Sequence, residues 1–239
     1  MTERKIARFY RVVSTAPQDD GVAVMLDGKA VKTPGRKALL LPTQELAEAV
    51  AAEWRAQSEN IDPARMPLTG LAHAARDLVP NHRGKVIDHI LGFGRSDLLC
   101  YRADAPGELA LRQAQTWDPL LEWAAKVLGV RLQSGNGIAF IEQPVDAALA
   151  LEKVVAALDD FQLAALDRAA SLTGSLVLGL AVLHGRLSAA EAFAAAVVDE
   201  TFQAETWGRD AAEEARKALI RAELEAAERF LKLAANTAA

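Results

Sequence analysis

The residues of this chain best suited to chemistry are three histidines close in sequence, His73, His82 and His89, with Asp77 one helical turn beyond His73. Imidazole and carboxylate groups together bind metals or move protons. A small-molecule enzyme built on this chain would use His73, Asp77 and His82 in a cleft between two domains. The H-E-x-x-H pattern of metal hydrolases is absent, and the spacing of these histidines crosses two presumed helices. Gly92-Phe93-Gly94 follows a helical pattern and lacks the third glycine of a phosphate loop. No serine or cysteine stands in a G-x-S-x-G elbow. The single cysteine, Cys100, sits among Leu98, Leu99 and Tyr101, which favours a buried thiol and leaves no internal disulfide. The expectation is therefore no metal, no cofactor and no catalytic residue.

A binding surface is the better use of the charged residues. Between Asp199 and Glu214 stand six acids, Asp199, Glu200, Glu205, Asp210, Glu213 and Glu214, against one base, Arg209. Glu200, Gln203 and Trp207 fall at i, i+3 and i+7, so one helix face carries a carboxylate, an amide and an indole in line. Such a face is either a solvated helix end with a packed tryptophan, or a docking patch in which acids steer a basic partner and the indole anchors it. Trp54, Trp117 and Trp123 lie at helical spacing among aliphatic residues, which makes them core residues first and partner contacts second.

These residues need elements to hold them. Arg8 to Val13, Val22 to Leu26, Lys29 to Lys32 and Ala38 to Leu41 read as strands of an antiparallel meander, with Asp27-Gly28 in a two-residue hairpin turn. From Thr43, a helix N-cap, helical periodicity takes over: helices are predicted at about 44 to 58, 68 to 79 and 83 to 93. Asp97 to Arg102 reads as extended, an edge strand of the sheet or a link. Asp118 and Pro119 read as the N-cap and first residue of a new helix. Val130 to Gln133 and Ile138 to Ile141 read as a hairpin near residues 130–141. Ser188 with Glu191, and Asp210 with Glu213, read as capping boxes, which puts a helix junction at Trp207-Gly208. The fold class is α+β: a small N-terminal antiparallel β domain, residues 1–42, followed by a larger mainly α-helical domain, residues 43–239.

Composition narrows the function further. The 239 residues carry 27 Lys and Arg against 32 Asp and Glu, a formal net charge of −5 with the bases interspersed, which argues against nucleic acid as a partner. Leu172 to Leu183 is too short to span a bilayer, so membrane insertion is not expected. MTERKIARFY lacks the apolar core of a secretory signal and the length of a transit peptide. A bacterial cytoplasm, or the mitochondrial matrix for a processed form, is the expected location. The absence of a coiled-coil heptad makes the free protein a monomer by default.

Five blocks in register carry a resemblance. DG, VKTP, LPT, LA and EW between Asp27 and Trp54 come first, then Ile61-Asp62-Pro63 with Met66-Pro67-Leu68-Thr69. Asp97 to Arg102, Gln115 to Trp123 (QTWDPLLEW) and Asp199 to Asp210 (DETFQAETWGRD) follow. Together the chain resembles the Atp-twelve assembly chaperones, which hold the α subunit of the F-type ATP synthase catalytic sector before it joins β. The resemblance implies an ATP-independent chaperone and no enzyme. It further implies that Asp199, Glu200, Gln203, Glu205, Trp207 and Asp210 contact α, and that Trp54, Trp117 and Asp118 serve either the structure or the partner.

Overall fold

The computed structural model describes residues 6 to 235. Strands come first and helices dominate after residue 43, the α+β order expected from the sequence. The strands are β1 (Ile6–Ala7), β2 (Val13–Gln18), β3 (Gly21–Leu26), β4 (Lys29–Ala30), β5 (Leu40–Leu41) and β6 (Asn60–Ile61). β3 is central, with antiparallel β2 on one flank and β4 and β5 in series on the other. The Asp27-Gly28 turn has positive φ at both residues, as its sequence demands.

The first long strand lies further along the chain than expected, at Val13–Gln18 rather than Arg8 to Val13. It runs through Pro17 because β2 pairs only with β3, and an edge strand tolerates a missing N–H. A tight turn at Asp19-Asp20 then leads into Gly21, where φ is +139° and a β-carbon would fall 2.5 Å from the Leu41 carbonyl oxygen. Only glycine fits that approach. The Ile6 to Ile61 pairing of β1 with β6 had no sequence signal.

Helix α1 (Gln44–Arg55) starts at Thr43, whose hydroxyl accepts the Leu46 amide at 3.1 Å. Its apolar face, Leu46, Ala47, Val50 and Trp54 among it, packs on β2 and β3. Helix α2 (Pro67–His73) passes through a wide π turn at Ala74–Leu78 into α3 (Val79–Arg95), which is kinked at His82. Gly92 and Gly94 do not stop α3. A β-carbon at Gly94 would meet the Leu151 and Leu176 side chains at 2.6 and 3.0 Å, so this glycine serves close packing inside the helix.

By its contacts the described chain forms two compact units. The first holds residues 6–83, 160–165 and 229–235, so it reaches well past residue 42. A small sheet cannot bury its face alone, and α1 supplies the cover. Within this unit the Thr43 hydroxyl donates to the Leu233 carbonyl, and the Phe161 and Phe230 rings stack 5.9 Å apart.

The second unit holds residues 84–159 and 166–228. Asp97 to Arg102 is not an edge of the meander. It forms a 3-10 turn at Leu98–Cys100 followed by β7 (Tyr101–Arg102). The expected hairpin near residues 130–141 does not form: β8 (Gly135–Asn136) pairs in parallel with β7 instead, a partner remote in sequence. Nor does Asp118 start a helix. Helix α4 (Gly107–Trp123) runs unbroken through Pro119, because the indole of Trp117, only 1% exposed, is anchored by donating to the Ala195 carbonyl at 2.8 Å. A π turn at Ala124–Leu128 continues it to Gly129.

Helices α5 (Val145–Ala156), α6 (Asp160–Thr173), α7 (Leu176–Leu183), α8 (Ala189–Ala196), α9 (Val198–Trp207) and α10 (Ala211–Ala234) follow. Helix α7 is buried from Leu176 to Val182, which accounts for an apolar run too short to span a bilayer. The Ser188–Glu191 capping box is present in both directions. Asp210 accepts the Glu213 amide at 2.9 Å, while the Glu213 carboxylate pairs with Arg216. Among the described residues, no helix is long and apolar enough to cross a membrane.

Candidate functional site

Helix α9 carries the acidic block and is tied to α4 near both ends. At its start, Asp199 accepts a bond from the Gln113 side-chain amide at 2.7 Å; buried Gln113 also accepts the Ala103 amide at 2.8 Å. Towards its end, Glu205 pairs with Arg112 at 2.5 Å. The Arg112 guanidinium also reaches Glu108 and lies 5.2 Å from the Phe202 ring centroid, a cation held over an aromatic face. Its bonds to Glu205 and then Glu108 push the guanidinium pKa further up. Asp199 and Glu205 therefore spend their charge inside the protein. Asp210 does likewise at the start of α10.

Glu200, Gln203 and Trp207 remain, and they do share a face. Glu200 is 3.9 Å from Arg216, beyond hydrogen-bonding reach, while Arg216 bonds Glu213 at 2.7 Å. Gln203 is exposed, and Trp207 is 77% exposed at the last position of α9. The structure removes the reading of Trp207 as a packed core residue. A bare indole beside a carboxylate and an amide can stack on an apolar or cationic side chain while donating its N–H.

Two hollows flank the helix. One, of about 430 Å³, includes Ala204, Arg209, Lys217 and Ala218; the other, of about 480 Å³, includes Gln115, Thr116, Ala190 and Ala194. They share Phe193, Val197, Thr201 and Arg221, and Glu205 and Glu214 also line the first, so a groove of mixed apolar and charged lining runs along α8 and α9. Arg112, Gln113, Phe193 and Lys217 were missed in the sequence. Arg112 and Glu108 at i, i+4 were the available sign of a structured face.

The other candidates lie elsewhere. Trp54 and Trp117 are core residues, and Asp118 pairs with Arg102 at 2.6 Å. Trp123 packs edge-on against His184, which ends α7. Cys100 is buried, and burial first, then nearby Asp97, pushes its thiol pKa up to about 12. It is no nucleophile at neutral pH. Asp77 is spent on structure, accepting the Gly35 amide at 2.6 Å and the Thr33 hydroxyl at 2.9 Å. Burial lowers the His73 pKa, with Asp77 opposing it, while His89 bonds Asp167 at 2.7 Å. Among the described residues no cluster of three His, Cys, Asp or Glu side chains could hold a metal ion.

The family model described as ATP12 chaperone protein matches residues 7–125, a stretch that ends before α9. The chain is 28% identical over 213 residues to the mitochondrial protein atp12 of Schizosaccharomyces pombe, covering 84% of this chain and 73% of that protein. It is 43% identical to Atp12 from Paracoccus denitrificans, whose crystal structure superposes with a TM-score of 0.91 over 96% of this chain and 99% of that one. The Atu1473 protein of Agrobacterium tumefaciens is 38% identical, with a TM-score of 0.90 over 95% and 85% of the two chains. With this identity and coverage, the chain belongs to the ATP12 chaperone family.

Proposed function

We propose that this chain is an ATP-independent chaperone that binds the unassembled α subunit of the F-type ATP synthase and releases it to β during assembly of the catalytic sector. The observation that carries the reading is the face of α9: an exposed Trp207 in line with Glu200 and Gln203, on a helix clamped by Gln113 and Arg112. Preorganised aromatic anchors rimmed by polar groups favour reversible binding, since little side-chain entropy is lost on docking. Asp199, Glu205 and Asp210 act in this reading by holding α9 and the start of α10 in place. Capture needs an interface of about 1,600 Å². Handover needs only that β bury a better-matched surface of α, with no hydrolysis.

The same reading has the protein act as a monomer where α is assembled with β, the bacterial cytoplasm or the mitochondrial matrix. The test is a tagged pull-down with purified α alone and with α plus β. Retention of α that is lost on adding β supports the reading. Failure to retain folding-competent α at low salt rejects it.

A further inference from the structure

A second surface of distinct chemistry lies in the N-terminal unit. A groove of about 550 Å³ is lined by Phe9, Tyr10, Leu26, Trp54 and the segment from Lys29 to Lys32. Phe9 is 69% exposed, and Ile6 and Val12 in the same segment are exposed too. Ring contacts run from Phe9 to Tyr10 at 5.4 Å and from Tyr10 to Trp54 at 5.7 Å, so the exposed ring is the outer end of a rigid aromatic row. Trp54 is 8% exposed, and its buried indole N–H has no acceptor among the described residues.

Side-chain chemistry defines the occupant, since beyond the two residues of β4 the strand is already paired, Val31 with Leu39 and Lys32 with Ala38. The groove beside it is open to side chains. The net charge of its lining is positive: Lys29 and Lys32 are exposed with no ion pair among the described residues, against one carboxylate, Asp27, which is turned to the Arg11 and Val12 amides at 2.7 to 3.1 Å. We propose that this groove takes a short apolar and acidic segment of a client polypeptide, with a large apolar side chain against the Phe9 end of the aromatic row and a carboxylate towards Lys29 and Lys32. The proposal rests on the chaperone reading for its partner being another chain, but on neither α9 nor the α subunit.

The probe is a blocked hexapeptide of valine, phenylalanine and glutamate, titrated into ¹⁵N-labelled full-length protein while the assigned indole resonances are followed. The expected result is a saturating shift of the Trp54 indole with the Trp207 indole unmoved. Phe9→Asp, or the pair Lys29→Glu and Lys32→Glu, should weaken binding about tenfold or more, as should lysine in place of the peptide's glutamate. Should Phe9→Asp fold poorly, the exposed lysine pair carries the test. Equal binding by these variants or by the lysine peptide overturns the proposal. So does a Trp54 shift with anilinonaphthalene sulfonate but not with peptide, which would make the groove a small-molecule pocket. Capture of α by Trp207→Ala, measured alongside, separates failure of the α9 reading from failure of this one.

Discussion

The Asp97 carboxylate and the Val177 backbone amide meet at 3.0 Å across eighty positions of sequence. The same fully buried carboxylate accepts the Leu99 amide at 3.0 Å, so one side chain serves the starts of the 3-10 turn at Leu98–Cys100 and of α7. Orphan amides at buried helix starts need such an acceptor. Asp97→Ala should cost about 3 kcal/mol, read as a lower urea midpoint with an unchanged slope.

Burial raises the Asp97 pKa from 3.8 to about 6, against the opposing hydrogen bonds from Ser175, Val177, Leu99 and Leu176. Between those values the native state holds a proton that the unfolded state has released. The contribution of this group to stability is therefore complete below about pH 4, falls as pH rises towards 6, and is level above. The span is on the order of 3 kcal/mol. Unfolding free energies of wild type and Asp97→Asn, compared from pH 4 to 7, should show wild type losing ground to the variant as pH rises. A constant difference would rule the titration out.

Trp207 and Trp117 should separate binding from stability. Trp207→Ala alters an exposed position and Glu200→Lys a half-buried one without a close ion pair; each should change unfolding free energy by no more than about 1 kcal/mol, while weakening α capture about tenfold or more. Trp117→Ala removes a buried ring and the bond to Ala195, and should cost about 3 to 5 kcal/mol. Wild-type affinity for α in both folded surface variants would remove α9 from the interface.

Asp77 should behave as a structural residue. Asp77→Ala leaves the Gly35 amide and Thr33 hydroxyl without their acceptor and should cost about 1 to 3 kcal/mol. Zinc or a chelator should leave the melting temperature of wild type unchanged. A chelator-sensitive melt would revive a metal role for His73 and Asp77.

Much of the local structure was legible because its causes are local. The Asp27-Gly28 turn, the Thr43 cap, the Ser188–Glu191 box and the Gly208 break each depend on residues within a few positions. Expectations failed where distant partners override propensity. Pro119 is carried inside α4 by the burial of Trp117, Gly94 is kept in α3 by Leu151 and Leu176, and Tyr101–Arg102 takes Gly135–Asn136 as its partner. On the candidate site, helical spacing was enough to align Glu200, Gln203 and Trp207, but it left open whether Trp207 faced the core.

The sequence by itself determined the α+β order, the buried α7 run and the line of charge and indole on α9, since composition and periodicity are properties of neighbours along the chain. Only the tertiary structure decided which of those side chains were left over. Gln113 and Arg112 consume Asp199 and Glu205, Thr33 and Gly35 consume Asp77, and Trp207 stays bare. A carboxylate or an indole is available to a partner only after the fold has taken its share of hydrogen bonds and burial, and that share is set by contacts tens of residues away.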